Sequence, residues 1–224
     1  MNIDYDKIFK TNETESKHCE LFPKNFFMII CGSSGCGKTN LLCNLLLNKM
    51  QLIYYDDVYI WCPTLHQSKY QGLQKVLKNK CTCYSESEQI LDPQEFDETL
   101  YHVICFDDVM VENQSKIVDY FCRGRHNNFN VLYLCQSLYK IKKHGIRDNA
   151  NIFVLFPQNK KTLKSFYDSY VSSDMEYDEF KEFCDQSWQD KYGYVVINLW
   201  SSCDKYKYID SYENCYYPKK CRNK

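Results

Sequence analysis

The sequence predicts an α/β fold, in which helices cover both faces of a mainly parallel β-sheet. Its short apolar runs, of which FFMIIC is the first, are continuous, a pattern typical of strands buried on both faces. Helical stretches separate most of these runs, and such alternation predicts a parallel sheet. The predicted parallel strands are 26–31, 57–63, 102–108, 130–137 and 151–157.

Local sequence patterns predict the helices. Leucines recur at helical spacing after residue 39, one segment ends at Gly124, and the last segment is amphipathic. The predicted helices are 39–50, 67–78, 113–124, 160–171 and 175–187. Segments 192–200 and 205–210 predict a C-terminal β pair. We therefore predict one domain over residues 21–212, with loose segments at 1–20 and 213–224.

Length and charge limit the classes of function. The chain has 224 residues, at the upper end of one domain, and a net charge of −1. Binding to nucleic acid would thus need a local basic patch or a ring of subunits rather than overall charge. The sequence contains no apolar run of about 18 residues, which predicts no membrane span. Its polar N-terminus does not resemble a signal peptide.

The 14 cysteines favour a reducing compartment. Cys31, Cys62, Cys105 and Cys135 each end an apolar run, where a buried reduced cysteine behaves as a small hydrophobic residue. A structural zinc site is the alternative. However, the sequence has no CxxC pair, and its CTC segment and five histidines lack the spacing of zinc ligands.

The segment GSSGCGKT at 32–39 matches the phosphate-binding pattern G-x-x-x-x-G-K-[ST]. It follows a predicted strand and opens a predicted helix, as the pattern requires. Glycine lets the backbone wrap closely around a phosphate with its N–H groups pointing inward. The loop consists of Gly32, Ser33, Ser34, Gly35, Cys36, Gly37, Lys38 and Thr39. We expect Lys38 to reach the β- and γ-phosphates and Thr39 to bind Mg²⁺; the alternative is a glycine turn that matches by chance.

Two carboxylates predict the second half of a nucleotide site. Asp107 and Asp108 end the strand HVICFDD, at the edge where open α/β sheets bind ligands. We expect Asp107 to bind Mg²⁺, directly or through water, and Asp108 to orient and deprotonate the attacking water. A solvated strand end or a helix N-cap is the alternative. The sequence contains neither an NKxD guanine motif nor an LSGGQ signature, which favours ATP as the nucleotide.

Further polar residues follow the two carboxylates. Gln136 ends the fourth predicted strand, where it could sense the γ-phosphate or hold the water, or be an ordinary strand-end glutamine. Arg123, Arg125 and Arg147 are three of only four arginines. An arginine supplied by a neighbouring subunit can accelerate phosphoryl transfer by roughly 10³–10⁵, although each single arginine is more often a surface residue.

These motifs together resemble a known family. GSSGCGKTNLL, VICFDD, GRHNNFNVLYLCQS and IRDNANIFVLF, in that order, resemble the genome-packaging ATPases of large DNA viruses and Polinton elements. These form the poxvirus-type group of the FtsK–HerA superfamily of P-loop NTPases, and the resemblance covers about residues 22–200. Many relatives in the superfamily have glutamate where this chain has Asp108.

The resemblance implies a RecA-like core with strand order 5-1-4-3-2 and a homo-oligomeric ring of five or six subunits. ATP hydrolysis would drive double-stranded DNA into a viral capsid, with the capsid or its portal vertex as a partner. The expected location is the host cytoplasm or viral factory, with virion association as a further option. Residues 32–39 would be the Walker A loop, Asp107 and Asp108 the Walker B acids, and Gln136 the sensor. Arg125 or Arg147 would act in trans.

Two other functions remain open at this point. A small-molecule kinase would need an arginine-rich lid, which four arginines make hard to build. A non-catalytic nucleotide-binding scaffold is disfavoured because Lys38, Thr39 and both aspartates are present. The basic segment KIKKHGIR at 140–147 is a candidate DNA-facing loop or, equally, a solvated loop.

Overall fold

A computed structural model of the chain describes residues 21–22, 24–47, 52–86, 90–109, 114–124, 128–212 and 214–221. Within these ranges, nine strands form a single sheet. The strands are β1 (Phe27–Cys31), β2 (Asp57–Trp61), β3 (Cys81–Tyr84), β4 (His102–Asp107), β5 (Phe129–Cys135), β6 (Ile152–Leu155), β7 (Val195–Asn198), β8 (Tyr208–Asp210) and β9 (Asn214–Tyr216).

The sheet order is β3-β2-β4-β5-β1-β6-β7-β8-β9. Strands β1 to β6 run parallel to one another, whereas β7 pairs antiparallel with β6, β8 with β7, and β9 with β8. The five strands predicted to be parallel therefore have the expected order 5-1-4-3-2, and the predicted C-terminal β pair extends the same sheet. Both predictions are confirmed.

Helices cover the two faces of the sheet because side chains alternate along its strands. From β1, Phe27 and Ile29 join one buried cluster, and Met28 and Ile30 join the other. Helices α3 (Ser115–Arg123), α4 (Lys160–Tyr170) and α5 (Tyr177–Ser187) pack into the first cluster. Helices α1 (Lys38–Leu46) and α2 (Ser68–Leu77) pack into the second. The predicted helices are thus present, with ends shifted by a few residues; residues 48–50 lie outside the described ranges.

The C-terminal segment differs from the sequence prediction. Residues 214–221 are not a loose tail, because β9 pairs with β8 and a disulfide joins Cys203 to Cys221. The Glu179 carboxylate of α5 also accepts hydrogen bonds from the Tyr216 hydroxyl, at 3.0 Å, and from the Lys219 backbone N–H, at 2.7 Å. The prediction of a loose tail at 213–224 is therefore wrong for these residues. The predicted loose segment 1–20 lies outside the described ranges.

The cysteines at the strand ends are buried, as predicted, whereas the disulfide between Cys203 and Cys221 was not predicted. Cys31, Cys62, Cys105 and Cys135 are buried and form no disulfide. The reducing compartment stays a prediction. In the described part of the chain, no cluster of three or more His, Cys, Asp or Glu residues could hold a metal ion. None of the helices in the same ranges is long and apolar enough to cross a bilayer.

Candidate active site

The predicted site residues meet at one edge of the sheet, because the carboxyl ends of parallel strands share an edge. The loops that follow β1, β2, β4 and β5 line a cavity of about 450 Å³ there. This volume lies within the usual range of small-molecule sites. The predicted residues at its wall are Ser34, Gly35, Gly37, Lys38, Thr39, Asp107, Asp108 and Gln136.

The loop at 32–39 connects β1 to α1 and requires glycine at two positions for different reasons. At Gly32, a Cβ atom would lie 2.6 Å from both the Cys36 Sγ and the Phe156 Cβ, closer than such atoms approach. Gly37 has a φ of 117°, in the left-handed region that other residues rarely adopt. The next residue begins α1, whose N-terminus adds partial positive charge to the loop.

Lys38 is held inside this loop. Its Nζ donates hydrogen bonds to the carbonyl oxygens of Gly32, at 2.7 Å, and Ser33, at 3.0 Å. Its side chain is 8% exposed, so its charge acts in a medium of low dielectric constant and is screened less than a surface charge. The ammonium group is thereby positioned for a phosphate that enters the loop.

Asp107 ends β4 with its carboxylate buried and hydrogen-bonded. The Tyr70 hydroxyl of α2 donates to its Oδ2, and Thr39 and Lys38 also face it. Burial raises the pKa of Asp107, while the hydrogen bonds from Tyr70 and Thr39 and the charge of Lys38 lower it in part. A buried carboxylate with a raised pKa is incompletely compensated and therefore suits a cation.

The donor set fits Mg²⁺. Thr39 and Asp107 bring a hydroxyl and a carboxylate oxygen together, and oxygen atoms are the ligands that this ion prefers. Mg²⁺ commonly takes one or two carboxylates from the protein and completes its shell with water and substrate phosphates. A large cluster of protein ligands is therefore not required.

Asp108 points into the cavity because its backbone leaves the strand conformation. Its φ is 54°, and its N–H still donates to the Leu134 carbonyl of β5 at 3.1 Å. Aspartate is among the few residues that tolerate this left-handed region. The Gln136 Nε2 donates to the Asp108 Oδ2 at 2.6 Å. The two side chains predicted to act on water thus contact each other across adjacent strands.

The two candidate arginines that the structure describes, Arg123 and Arg147, do not join this group. Arg147 is half-buried, with its guanidinium carbon 5.1 Å from the centre of the Tyr139 ring, and it does not line the cavity. Its Nε is buried and has no hydrogen-bond partner among the described residues. Arg125 lies outside the described ranges. Arg123 is paired with Asp119 on the exposed side of α3.

The sequence matches a known protein family. The sequence profile of the Poxvirus A32 protein family matches residues 13–171. The chain belongs to this family. No curated protein sequence matches it significantly.

Solved structures share the fold of this A32-family chain. The DNA-packaging ATPase B204 from Sulfolobus turreted icosahedral virus is 12% identical to it, with a TM-score of 0.56 over 84% of this chain and 98% of that chain. The genome-packaging NTPase B204 from Sulfolobus turreted icosahedral virus 2, in complex with AMPPCP, has the same TM-score, identity and coverage. The RecA-like P-loop fold expected from the sequence is therefore confirmed.

Five residues in the cavity wall of this A32-family chain were not predicted, and one of them, Asn40, directly follows the phosphate loop. Thr64, Gln67 and Lys69 reach the cavity from the segment after β2. They could have been expected there, because β2 pairs with β4 and its carboxyl end lies beside Asp107. Tyr192 precedes the antiparallel strand β7, so the start of that strand lies at the same edge as the ends of the parallel strands.

Replacing Asp107 with asparagine should raise the free energy of unfolding of the nucleotide-free protein at neutral pH. The raised pKa of Asp107 means that the folded protein binds its proton more tightly than the unfolded chain does. Wild-type stability should then fall as the pH rises from the ordinary value of 3.8 through the raised pKa, and stay lower above it. Urea denaturation at pH 4 and at pH 7.5 measures the free energy of unfolding of both proteins. The excess of the variant over wild type should be larger at pH 7.5.

Asp108→Asn is the matched control, because it removes a half-exposed carboxylate from the next position. A loss of stability in Asp107→Asn at pH 7.5 would contradict the prediction and show that the hydrogen bonds outweigh the cost of burial.

Proposed function

We propose that the chain is an ATP-hydrolysing motor that moves double-stranded DNA into a viral capsid. The observation that carries this proposal is the convergence of Lys38, Thr39, Asp107, Asp108 and Gln136 on one cavity. Membership of the Poxvirus A32 protein family and the fold shared with the packaging ATPase B204 support it.

The loop at 32–39 binds the phosphates of ATP in this proposal. Its backbone N–H groups and the N-terminus of α1 surround them, and Lys38 donates to the β- and γ-phosphates. Thr39 and Asp107 would hold Mg²⁺, which, when bound, neutralises part of the charge on these phosphates. Asp107 is already positioned by the Tyr70 hydroxyl.

Asp108 acts on the attacking water, and Gln136 positions Asp108. The water oxygen attacks the γ-phosphorus, Asp108 accepts a proton from that water, and the bond to the β–γ bridging oxygen breaks to release ADP and phosphate. Gln136 holds the Asp108 carboxylate through its 2.6 Å hydrogen bond, so that the carboxylate is aimed before the water arrives.

We propose further that the active form is a homo-oligomeric ring of five or six subunits. Arg147 does not line the cavity of its own subunit, which supports a role in trans for this residue. Arg125 is the other candidate for that role. A ring also gives a chain of net charge −1 a way to surround DNA with local basic segments. Lys140, Lys142 and Lys143 are exposed and form such a segment. The expected location is the host cytoplasm or viral factory.

Purified wild-type protein should hydrolyse ATP faster when double-stranded DNA is added. The Lys38→Ala variant, measured in the same way, gives the background rate. The double variant Lys142→Ala/Lys143→Ala should keep its turnover without DNA and lose part of the stimulation, because fewer phosphate contacts form. Raising the salt concentration should weaken the stimulation for the same reason. If DNA does not change turnover at any salt concentration, the proposal that the chain translocates DNA is wrong. If the protein binds ATP without turnover, the proposal that it is an ATPase is wrong.

A further inference from the structure

Tyr192 is an exposed aromatic side chain at the wall of the phosphate cavity. It is 49% exposed, and no other aromatic residue lines this cavity among the described residues. A Cβ atom placed on Gly37 would lie 3.3 Å from the Tyr192 Cδ1. The ring therefore lies against the loop that holds the phosphates, and a large part of it faces the open cavity.

The strand order puts Tyr192 opposite the two catalytic carboxylates. Asp107 and Asp108 follow β4, which lies two strands from β1 on the side of β5. Tyr192 precedes β7, which pairs with β6 on the other side of β1. Neighbouring strands lie about 4.8 Å apart, so the axes of β4 and β1 are separated by about 10 Å. The carboxylates therefore face the phosphate loop from one side, and Tyr192 borders it on the other.

A nucleoside triphosphate has only one orientation in such a cavity. Its γ-phosphate must lie at the Asp108 end for water to attack it. The nucleoside is at the other end of the triphosphate and therefore leaves the loop on the side of Tyr192. Aromatic rings stack on nucleobases, and this contact tolerates any base because every base has a π-face.

Contacts of the next two residues fix the backbone beside Tyr192. A Cβ atom on Gly193 would lie 1.9 Å from the Ser187 carbonyl oxygen, so the chain passes too close to α5 for any side chain at that position. The Gly193 N–H donates to the Asp190 carbonyl at 3.0 Å. Tyr194 packs on Phe156, with ring centres 5.3 Å apart. The Lys191 ammonium lies over the Tyr192 ring, 5.2 Å from its centre.

We propose that Tyr192 is the platform on which the base of the bound nucleotide stacks. The assignment rests on the proposed function, since it requires the loop at 32–39 to bind a nucleotide. It adds a base-binding group to a site whose predicted residues all act on phosphate, metal or water.

Calorimetric titration with two ligands tests the proposal. The β,γ-imido analogue of ATP has a base, whereas inorganic tripolyphosphate has the same charged chain without one. Tyr192→Ala should bind the analogue about 5- to 150-fold more weakly, the range expected for one stacked base, and tripolyphosphate as tightly as wild type does. Tyr192→Phe should bind both ligands as wild type does, because it keeps the ring.

Trp200→Ala is the matched control, because it removes another exposed aromatic side chain, 60% exposed, that does not line the cavity. It should change neither affinity. Unchanged binding of the analogue by Tyr192→Ala would overturn the assignment. Equal weakening of both ligands would overturn it too, since Tyr192 would then act by supporting the phosphate loop. A wild-type protein that binds neither ligand would overturn the proposed function itself.

Discussion

Lys38→Ala should reduce ATP turnover at least about 100-fold, the loss typical of removing one pre-positioned donor from a transition state. Its ammonium group is buried and held by the Gly32 and Ser33 carbonyls, so its position costs no reorganisation when the γ-phosphoryl group leaves. Burial also strengthens its interaction with the phosphates. Steady-state turnover measures the loss of transition-state stabilisation, and titration with a non-hydrolysable ATP analogue measures the loss of phosphate binding. We expect both activities to be lost in the variant.

Lys69→Ala is the informative comparison for this variant. Lys69 is an exposed lysine that lines the same cavity from α2, so its removal changes the cavity charge by the same amount. We expect its effect on turnover to be much smaller, because an exposed ammonium is solvated and mobile. Similar losses in both variants would mean that total charge, rather than the geometry of the phosphate loop, decides activity. Thermal unfolding of each variant shows whether the loop still folds without its internal lysine.

The phosphate loop could be predicted because its chemistry is local. Gly32, Gly37, Lys38 and Thr39 lie within eight consecutive residues. Gly37 is required by its own backbone conformation, and Lys38 bonds to carbonyl groups of the same segment. The buried strands could be predicted for the same reason, since a continuous apolar run needs cover on both faces. The order of the five central strands came instead from the family resemblance, because apolar patterns do not specify which strands pair.

Two strands were missed because nothing in their sequences separates them from loops. Strand β3 has only four residues, CTCY, and its burial is intermediate because it pairs at the edge of the sheet. Strand β9 has three residues, NCY, and pairs only with β8. Both exist because a neighbouring strand offers free backbone groups, which is information that a local pattern does not contain.

Tyr70 shows the same limit at the site. Its spacing in α2 suits an ordinary apolar position, and it is fully buried as such a residue would be. Its hydroxyl reaches Asp107 only because α2 packs over the carboxyl end of β4, and burial raises its pKa so that it stays a donor. The role of this tyrosine therefore depends on helix packing, which the sequence pattern does not define.

Asp108→Asn should lower ATP turnover about 100- to 10,000-fold, the usual contribution of a general base, while ATP binding stays close to wild type. Asparagine cannot take the proton of the attacking water, but its side-chain oxygen can still accept the hydrogen bond from Gln136. Lys38, Thr39 and Asp107 are untouched, so the phosphate and metal ligands remain. Turnover and analogue binding, measured side by side, separate the two effects.

Gln136→Ala distinguishes catalysis by Asp108 from catalysis by the glutamine itself. Since Gln136 donates to Asp108 at 2.6 Å, its removal should matter mainly by freeing that carboxylate to rotate. Residues that act as one unit are not additive. We therefore expect Gln136→Ala to lower turnover in the wild-type background and to add little in the Asp108→Asn background. Fully additive losses would show that Gln136 contacts the water or the γ-phosphate independently, and that Asp108 does not act through the pair.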